Sequence, residues 1–584
     1  MGTDSMQVLP STRWKAPLGI AMALALAALA VYRALPFLLF HLYGQIDSDH
    51  EWRHVYETRD YLITFAAWLI AFVLYQPLTS ICARLRTRWK PLYTAICLLA
   101  ACVFMGVFIL HFGNRQFGAY DLGILIDTGW RQIIGQRPYV DFLTATPPGF
   151  NLGIEYAFRV FGINWNAQLY ATAIFATGSF LWLYWLLCRL TGRRTVAFWL
   201  AFAAETAITL ELSFWWYNSS TETFVLLFFL SCLLLCRQPC SVGAQISYYF
   251  SLWPLGLMKP NMAGIMILCG VALVLCGAGR KLRVILLTLA AAATVLLFLY
   301  VNGVSIPSML ATYHGAAIEH GLTLFGLRFY SDKELVVLLL WTLIMALPIV
   351  TVLPACRLSL RHRQWRGLAF QLFFPTIFLI TLYGLITNSD FADMQIANLL
   401  AGGIVILFGI GMPVPQPILR RIYIALLFAM LASDLYAAAT RYRVYAISPH
   451  LFFEWEDADH GSSTPFFKDM HASPRMDLVI GQIGQAVSEN QGPFFMGPRI
   501  ELGYALNGLS SPDRLPVGWD PGVSFARRDQ GRLLQIWQEH RFQTLIFLKG
   551  EYPYYPPEFL SLIRSNYSSD DKYSELTVYH ARRQ

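Results

Sequence analysis

The sequence predicts an α-helical polytopic membrane protein that carries a small C-terminal α/β domain outside the membrane. Three observations predict it: the composition, the long apolar runs and the placement of Lys and Arg. Of the 584 residues, 56% are hydrophobic and 14% are charged, whereas a soluble domain carries about 25% charged residues. The mean hydropathy of +0.47 excludes a soluble globular protein, which could not hide this apolar surface, and a disordered chain, which would be polar.

Apolar runs long enough to cross a bilayer recur along residues 1–440, which we assign to the membrane domain. A spanning helix needs roughly 20 mostly apolar residues. This criterion predicts about 13 spans, over 17–43, 61–82, 91–112, 166–188, 195–213, 222–238, 245–258, 261–278, 284–303, 334–356, 367–387, 395–412 and 421–439. The runs do not alternate at every second residue, which excludes barrel strands. The first two helices are candidates for an N-terminal extension.

Lys and Arg collect in connections that alternate along the chain, as the positive-inside rule requires. With the N-terminus inside, the inner connections carry the basic groups 84–90, 189–194, 280–283, 357–366 and 420–421. The facing connection 44–60 is acidic. An odd number of spans then places the C-terminus outside. The formal charge of +8 is therefore a topology signal, and it does not indicate nucleic-acid binding.

The composition changes after the last predicted span. Apolar runs shorten, while Pro, Gly, Asp, Ser and Tyr become common. Short apolar strings typical of strands alternate with amphipathic strings typical of helices, one of which opens with Pro. We therefore assign 441–584 to a small α/β domain on the outer surface. Its predicted elements are strands over 493–496, 544–548 and 576–580 and helices over 531–540 and 557–567.

The first large outer connection, 113–165, is too polar to be a span and too aromatic to be a solvated linker. Apolar residues over 124–134 surround Asp127 and Arg131, a pattern typical of an amphipathic helix that lies in the membrane interface. A carboxylate this near the membrane is costly unless it is paired or functional. Asp121 is therefore a candidate site residue; the alternative is a cap for the helix that follows it.

A motif in this interfacial loop resembles a known family. The loop carries, in this order, Asp121-Leu-Gly, Gly135-Gln-Arg-Pro-Tyr139-Val-Asp141-Phe142 and Pro147-Pro148-Gly149. In order and spacing it resembles the GT-C fold glycosyltransferases that take sugars from polyprenyl-phosphate carriers, among them protein O-mannosyltransferases and lipid A aminoarabinose transferases. The plan of many spans followed by an outer α/β domain is similar to the aminoarabinose transferases. Single residues match only over about 115–260.

The resemblance implies a GT-C fold and a hexosyl- or pentosyltransferase in a bacterial inner membrane, with a cytoplasmic N-terminus and a periplasmic C-terminal domain. It implies that Asp121 is the catalytic base, and that Tyr139 and Asp141, the aromatic-acid pair of the pattern, bind substrate. Two positions depart from the family pattern. Leu122 stands where Glu is frequent, and Thr146 stands where a Lys often precedes the Pro turn. Binding of the carrier phosphate must then be assigned elsewhere.

The chemistry explains why these residue types are needed. An acceptor hydroxyl must lose its proton as it attacks the anomeric carbon, and one carboxylate can take it. The leaving lipid phosphate is anionic and needs a cation or a divalent metal, Mg or Mn, rather than a general acid. Lys259 at the outer membrane edge suits the phosphate; its alternative is ordinary snorkelling. Arg131 and Arg137 are further candidates, with a structural ion pair to Asp127 or Asp141 as the alternative.

Two further acids are assigned to substrate binding. Glu222 opens a span from the outside, where the family commonly has an acid, and its alternative role is to complement the helix dipole. Asp390 lies in a later outer connection and either binds the acceptor or belongs to a solvated turn. No residues are assigned as metal ligands. The expected partners are a polyprenyl-phosphate sugar donor, a lipid, glycan or protein acceptor, and membrane lipids.

Two other functions fit a polytopic membrane protein. A ligase or oligosaccharyltransferase would move a preassembled glycan from a lipid carrier, and block transfer or metal dependence would distinguish it. A transporter usually shows a two-half repeat and helices broken at the midplane. Here the charged residues mostly avoid the span centres and cluster at span ends, which favours chemistry at the interface over transport.

Overall fold

The computed structural model describes most of the middle of the chain and most of its C-terminal part. The described ranges are 90–114, 120–209, 217–258, 260–277, 280–313 and 460–582, with short gaps in the last, and a few residues between 356 and 376. Labels below number the described elements in chain order.

Ten described helices precede the C-terminal part. They are α1 (Lys90–Gly113), α2 (Tyr120–Ile133), α3 (Pro148–Phe161), α4 (Trp165–Thr191), α5 (Arg194–Thr209), α6 (Tyr217–Arg237), α7 (Val242–Met258), α8 (Pro260–Gly277), α9 (Lys281–Val301) and α10 (Ile306–Thr312).

Each predicted span between 91 and 303 is a helix in the structure, namely α1 and α4 to α9. The best defined is α4: the Asn164 side chain accepts the Ala167 N–H at its start, and Gly192 ends it with a φ of 69°, the left-handed conformation that Gly adopts without strain. Of the described helices, α4 and α9 are long and apolar enough to cross a membrane. The predicted spans at 17–43, 61–82, 395–412 and 421–439 lie outside the described residues, as do nearly all of 334–356 and most of 367–387.

The helix ends gather in two groups that alternate along the chain. At one end of the bundle, Arg189 of α4 donates to Gln238 after α6 at 2.9 Å. At the other end, Gly149 of α3 packs on Leu257 of α7. Helices that run up and down in turn produce this alternation, which the spacing of the basic connections predicts. Which end faces the cytoplasm remains a prediction.

The C-terminal part contains a mixed sheet flanked by helices. Its elements are β1 (His460–Gly461), β2 (His471–Ala472), α11 (Pro474–Glu489), β3 (Phe494–Met496), α12 (Gly503–Leu506), α13 (Gln530–Glu539), β4 (Thr544–Leu548), α14 (Pro557–Asn566), β5 (Tyr567–Asp570) and β6 (Leu576–Ala581). We call residues 460–582 the outer unit. The prediction of an α/β architecture here is confirmed.

The sheet of the outer unit has the strand order β3-β4-β6-β5, parallel between β3 and β4 and antiparallel elsewhere. All five side chains of β4 are buried, as expected for a central strand covered on both faces. Three strands and two helices match the predicted ones within about two residues. Helix α11 and strand β5 were not predicted. The domain boundary at 441 lies outside the described residues.

The outer unit lies against the ends of the membrane helices. Phe466 meets Phe158 of α3 edge to face at 6.4 Å between ring centroids. Asn166, in the first turn of α4, donates to Asp469 at 2.7 Å. The buried core is continuous across this contact, so α3 packs both on the helix bundle and on the outer unit.

Candidate functional site

The interfacial helix predicted over 124–134 is α2, and it is described from Tyr120. Leu122, Leu125 and Ile126 are buried, which anchors its apolar face. Gly129 lies so close to α3 that an added Cβ would come within 2.9 Å of the Phe158 ring. Small residues permit such close approach of two helices, and this contact sets the position of α2.

Asp121 occupies the first described turn of α2. The structure gives its backbone as helical, and its side chain lies outside the description. An N-cap residue lies outside the helical conformation, so this position does not favour the cap considered for Asp121. Asp121 as the base remains a prediction.

Asp127 and Arg131 form a buried ion pair one turn apart on α2. The Arg131 Nε lies 2.7 Å from the Asp127 carboxylate, and both side chains are at most 2% exposed. The other carboxylate oxygen accepts the Ser511 hydroxyl at 2.6 Å, and Arg131 also donates to the Pro512 carbonyl at 2.6 Å. Burial raises the pKa of Asp127, and the charge of Arg131 opposes the increase. Arg131 therefore forms the structural ion pair with Asp127 that was the alternative to substrate binding.

Arg137 and Asp141 form a second ion pair, and this one is exposed. The Arg137 Nε lies 3.0 Å from the Asp141 carboxylate, with 57% and 31% of the two side chains exposed. The hydrogen bond from Arg137 lowers the pKa of Asp141. Arg137 also lies beside Gly303, at the end of α9. An exposed pair can exchange partners at little free-energy cost, so both groups are accessible to an anionic or hydroxylated substrate.

The Tyr139 side chain is buried, and its hydroxyl lies in a polar cluster with Thr146, Asn151 and Tyr313. It adopts a φ of 66°, rare for a residue with a side chain. Its hydroxyl donates to the Thr146 carbonyl at 2.5 Å, and the Tyr313 hydroxyl donates to the same carbonyl at 3.2 Å. Burial raises the pKa of Tyr139. In this arrangement the Tyr139 hydroxyl faces protein groups, and its assignment to substrate binding has no contact in its favour.

Thr146, the position before the Pro-Pro turn, makes most of the hydrogen bonds of this cluster. It is buried, and its hydroxyl donates to the Asn151 side chain and bonds the Thr144 hydroxyl at 2.6 Å. Thr146 therefore contributes neutral hydrogen bonds to this cluster. These bonds of Thr144 and Asn151 were not predicted, although two Thr and an Asn around a Pro-Pro turn are a recognisable polar group.

The remaining candidates are only partly described. Glu222 lies on α6, but its side chain is outside the description; Lys259 and Asp390 lie outside the described residues altogether. Leu257 of α7, two residues before Lys259 in the sequence, packs on Gly149 beside the Pro-Pro turn.

One buried acid was not predicted. Glu205 of α5 has no exposed surface and accepts the Ser179 hydroxyl of α4 at 2.9 Å. It lies in the middle of the predicted span 195–213, so it is an exception to the placement of charge at span ends. An acid inside an apolar run was the signal that could have found it.

No three His, Cys, Asp or Glu side chains come together as a metal site within the part of the chain that the structure describes. A Mg or Mn ion therefore remains a prediction, and no step below depends on it.

Comparisons with known proteins find weak similarity to solved structures. No family model and no curated protein matches the chain. Among solved structures, an oligosaccharyltransferase of Archaeoglobus fulgidus, in complex with Zn and sulfate, aligns with 77% of this chain and 68% of its own, at 12% identity and a TM-score of 0.34. At that score a common fold is not shown, and we carry nothing from it to this chain.

Proposed function

We propose that this protein is an integral membrane glycosyltransferase of the outer face of a bacterial inner membrane. It moves one sugar from a polyprenyl-phosphate donor to a lipid, glycan or protein acceptor. The observation that supports it most is the position of α2, which carries Asp121 and lies between the helix ends and the outer unit. A site there can be reached from the lipid by the donor and from water by the acceptor.

In the proposed reaction Asp121 accepts the proton of the acceptor hydroxyl while the hydroxyl oxygen attacks the anomeric carbon of the donor. The bond between that carbon and the phosphate oxygen breaks, and its electron pair leaves with the polyprenyl phosphate. The new glycosidic bond replaces the broken one, so donor and acceptor together balance the step without an oxidant or a further co-substrate. A positioned base contributes about 10²–10⁴-fold to such a step.

The leaving phosphate needs a positive charge nearby. We assign this role to Lys259, which follows α7 directly in the sequence, and as a second choice to Arg137, whose guanidinium is exposed beside the end of α9. Glu222 and Asp390 are assigned to the acceptor side, together with Asp141. Arg131 is not retained, because its side chain is buried and bonded to Asp127 and to the Pro512 carbonyl.

The proposal predicts that Asp121→Asn folds normally and loses transfer, with kcat lower by about 10²–10⁴-fold. Purified protein in lipid nanodiscs is assayed with a panel of sugar-labelled undecaprenyl-phosphate monosaccharides and envelope extract as acceptor. The control is Glu155→Gln, which removes the charge of a carboxylate on the neighbouring helix α3. Normal turnover by Asp121→Asn would contradict the assignment of the base.

The same assay separates the other functions. Transfer of a preassembled glycan from a pyrophosphate carrier, with no transfer from the monosaccharide donors, would replace the proposal by a ligase or oligosaccharyltransferase. Equal uptake of label into vesicles by the wild type and by Asp121→Asn, without a glycosylated product, would indicate a transporter.

A further inference from the structure

A short segment of the outer unit runs along the interfacial loop and bonds to it repeatedly. We call residues 509–517 the strap. Trp130 donates to the Leu509 carbonyl at 2.8 Å, and Gln136 donates to the Ser511 carbonyl at 2.7 Å. Further along, Leu143 bonds the strap through its N–H at 3.3 Å and its carbonyl at 2.9 Å. The strap therefore follows the loop from α2 to the segment before the Pro-Pro turn.

The buried ion pair of α2 lies at the centre of this contact. Ser511 and Pro512 of the strap satisfy the remaining oxygen of Asp127 and a donor of Arg131. Buried charges are tolerated only where each polar atom is bonded. The buried charges of Asp127 and Arg131 therefore depend on the strap for hydrogen bonds. Because such bonds are directional, they fix the position of α2 more closely than apolar packing alone would.

Backbone strain is concentrated at the same contact. Three described residues other than Gly have a positive φ, and two of them are Tyr139 (66°) and Arg514 (59°). Both lie at one hydrogen bond, in which the Arg514 N–H of the strap donates to the Asp141 carbonyl at 2.5 Å. Tyr139 is two residues before Asp141 in the loop. Such conformations are unfavourable for a residue with a side chain and persist where the surroundings impose them. The loop and the strap are held together against that cost.

We propose that the strap is a positioning element of the transfer site, and that Ser511, Asp127 and Arg131 are its positioning residues. Asp121 lies within about two helical turns of Asp127, so a strap that fixes Asp127 also fixes the segment carrying the base. This inference rests on the proposed function for the role of Asp121. It assigns the outer unit a part in building the site, beyond any acceptor or partner that it binds.

The test is Ser511→Ala in the full-length protein, followed by hydrogen–deuterium exchange of the peptides that cover α2. Loss of a hydrogen bond to a charged group costs about 1.5–3 kcal/mol, which corresponds to roughly ten- to hundredfold faster exchange if α2 opens locally. The matched control is Ser462→Ala, whose hydroxyl donates to Asp477 at 2.9 Å inside the outer unit. It should leave the exchange of α2 unchanged.

Turnover of the same variants tests positioning. Ser511→Ala should lower kcat by at least tenfold with an unchanged KM for the donor, and Ser511→Thr, which keeps the hydroxyl, should restore both kcat and slow exchange. Unchanged exchange of α2 in Ser511→Ala overturns the inference, and so does faster exchange with normal kcat. If the wild type transfers no sugar from any donor, the proposed function fails, and exchange alone then decides whether the strap holds α2.

Discussion

At the scale of single residues, burial decides what otherwise similar ion pairs do. Asp127–Arg131, Glu155–Arg159 and Arg137–Asp141 all join a carboxylate to an Arg four residues away. Only the first pair is shielded from water at both ends. An exposed pair contributes about 0–1 kcal/mol, whereas a buried carboxylate that loses its partner costs about 3–5 kcal/mol.

Arg131→Ala should therefore destabilise the protein by about 3–5 kcal/mol, because it leaves the Asp127 carboxylate buried beside Ser511 alone. Arg159→Ala, which breaks the exposed pair on α3, should cost about 0–1 kcal/mol. The shift of the thermal unfolding midpoint in detergent measures both. Equal shifts for the two variants would show that the pair of α2 is hydrated in solution. Arg131→Lys keeps the positive charge beside Asp127, so its unfolding midpoint should lie between those of the wild type and Arg131→Ala.

At the scale of elements, the sequence predicted most helices and strands well, because each carries its own signal. The spans are apolar throughout, α3 begins with Pro at its first position, and β4 is an apolar string. Helix α11 was not predicted, although Val479, Ile480 and Ile483 are spaced as on one face of a helix and are buried there. Strand β5 was not predicted because Tyr567–Asp570 is mostly polar. It forms by pairing with β6, the next strand along the chain.

The close approach of α3 to α7 predicts the effect of a single methyl group. In Gly149→Ala the new Cβ would lie 2.6 Å from the Leu257 Cβ and 3.1 Å from its backbone. Such overpacking costs typically about 1–3 kcal/mol. We therefore expect a lower unfolding midpoint for Gly149→Ala, measured by thermal unfolding in detergent.

The control for this variant is Gly178→Ala on α4, where an added Cβ meets nothing within 4 Å. In a helix interior Ala is favoured over Gly by roughly 0.5–1 kcal/mol, so this change should be neutral or stabilising. A neutral result for Gly149→Ala as well would mean that α3 and α7 are farther apart than described.

At the scale of the whole molecule, the proposed reaction requires the loop and the outer unit to lie on the outer face. Fluorescent-protein fusions test this, because the protein fluoresces in the cytoplasm and stays dark after export through the Sec pathway. We expect fluorescence from a fusion before Met1 and none from a fusion after Gln584 of the full chain. Fluorescence from both would require an even number of spans, and would remove the outer unit from the side where the donor is used.

The sequence by itself predicted the fold class, the positions of the helices described between residues 90 and 301, the alternation of their direction and the mixture of strands and helices in the outer unit. These properties follow from local composition and period, which a window of about 20 residues contains. It also supplied the candidate site residues, most of them in one loop. Only the tertiary structure decided which of its charges are engaged: Arg131 and Asp127 in a buried pair, Arg137 and Asp141 in an exposed one.

The physical reason is the distance along the chain over which the deciding contacts act. Arg131 and the Pro512 carbonyl are separated by 381 residues, and nothing in the local sequence of either indicates the other. Burial of a charge depends on what packs over it, and here that is the strap. A window along the sequence therefore identified α2 as an interfacial helix, while the folded chain determined what holds it in place.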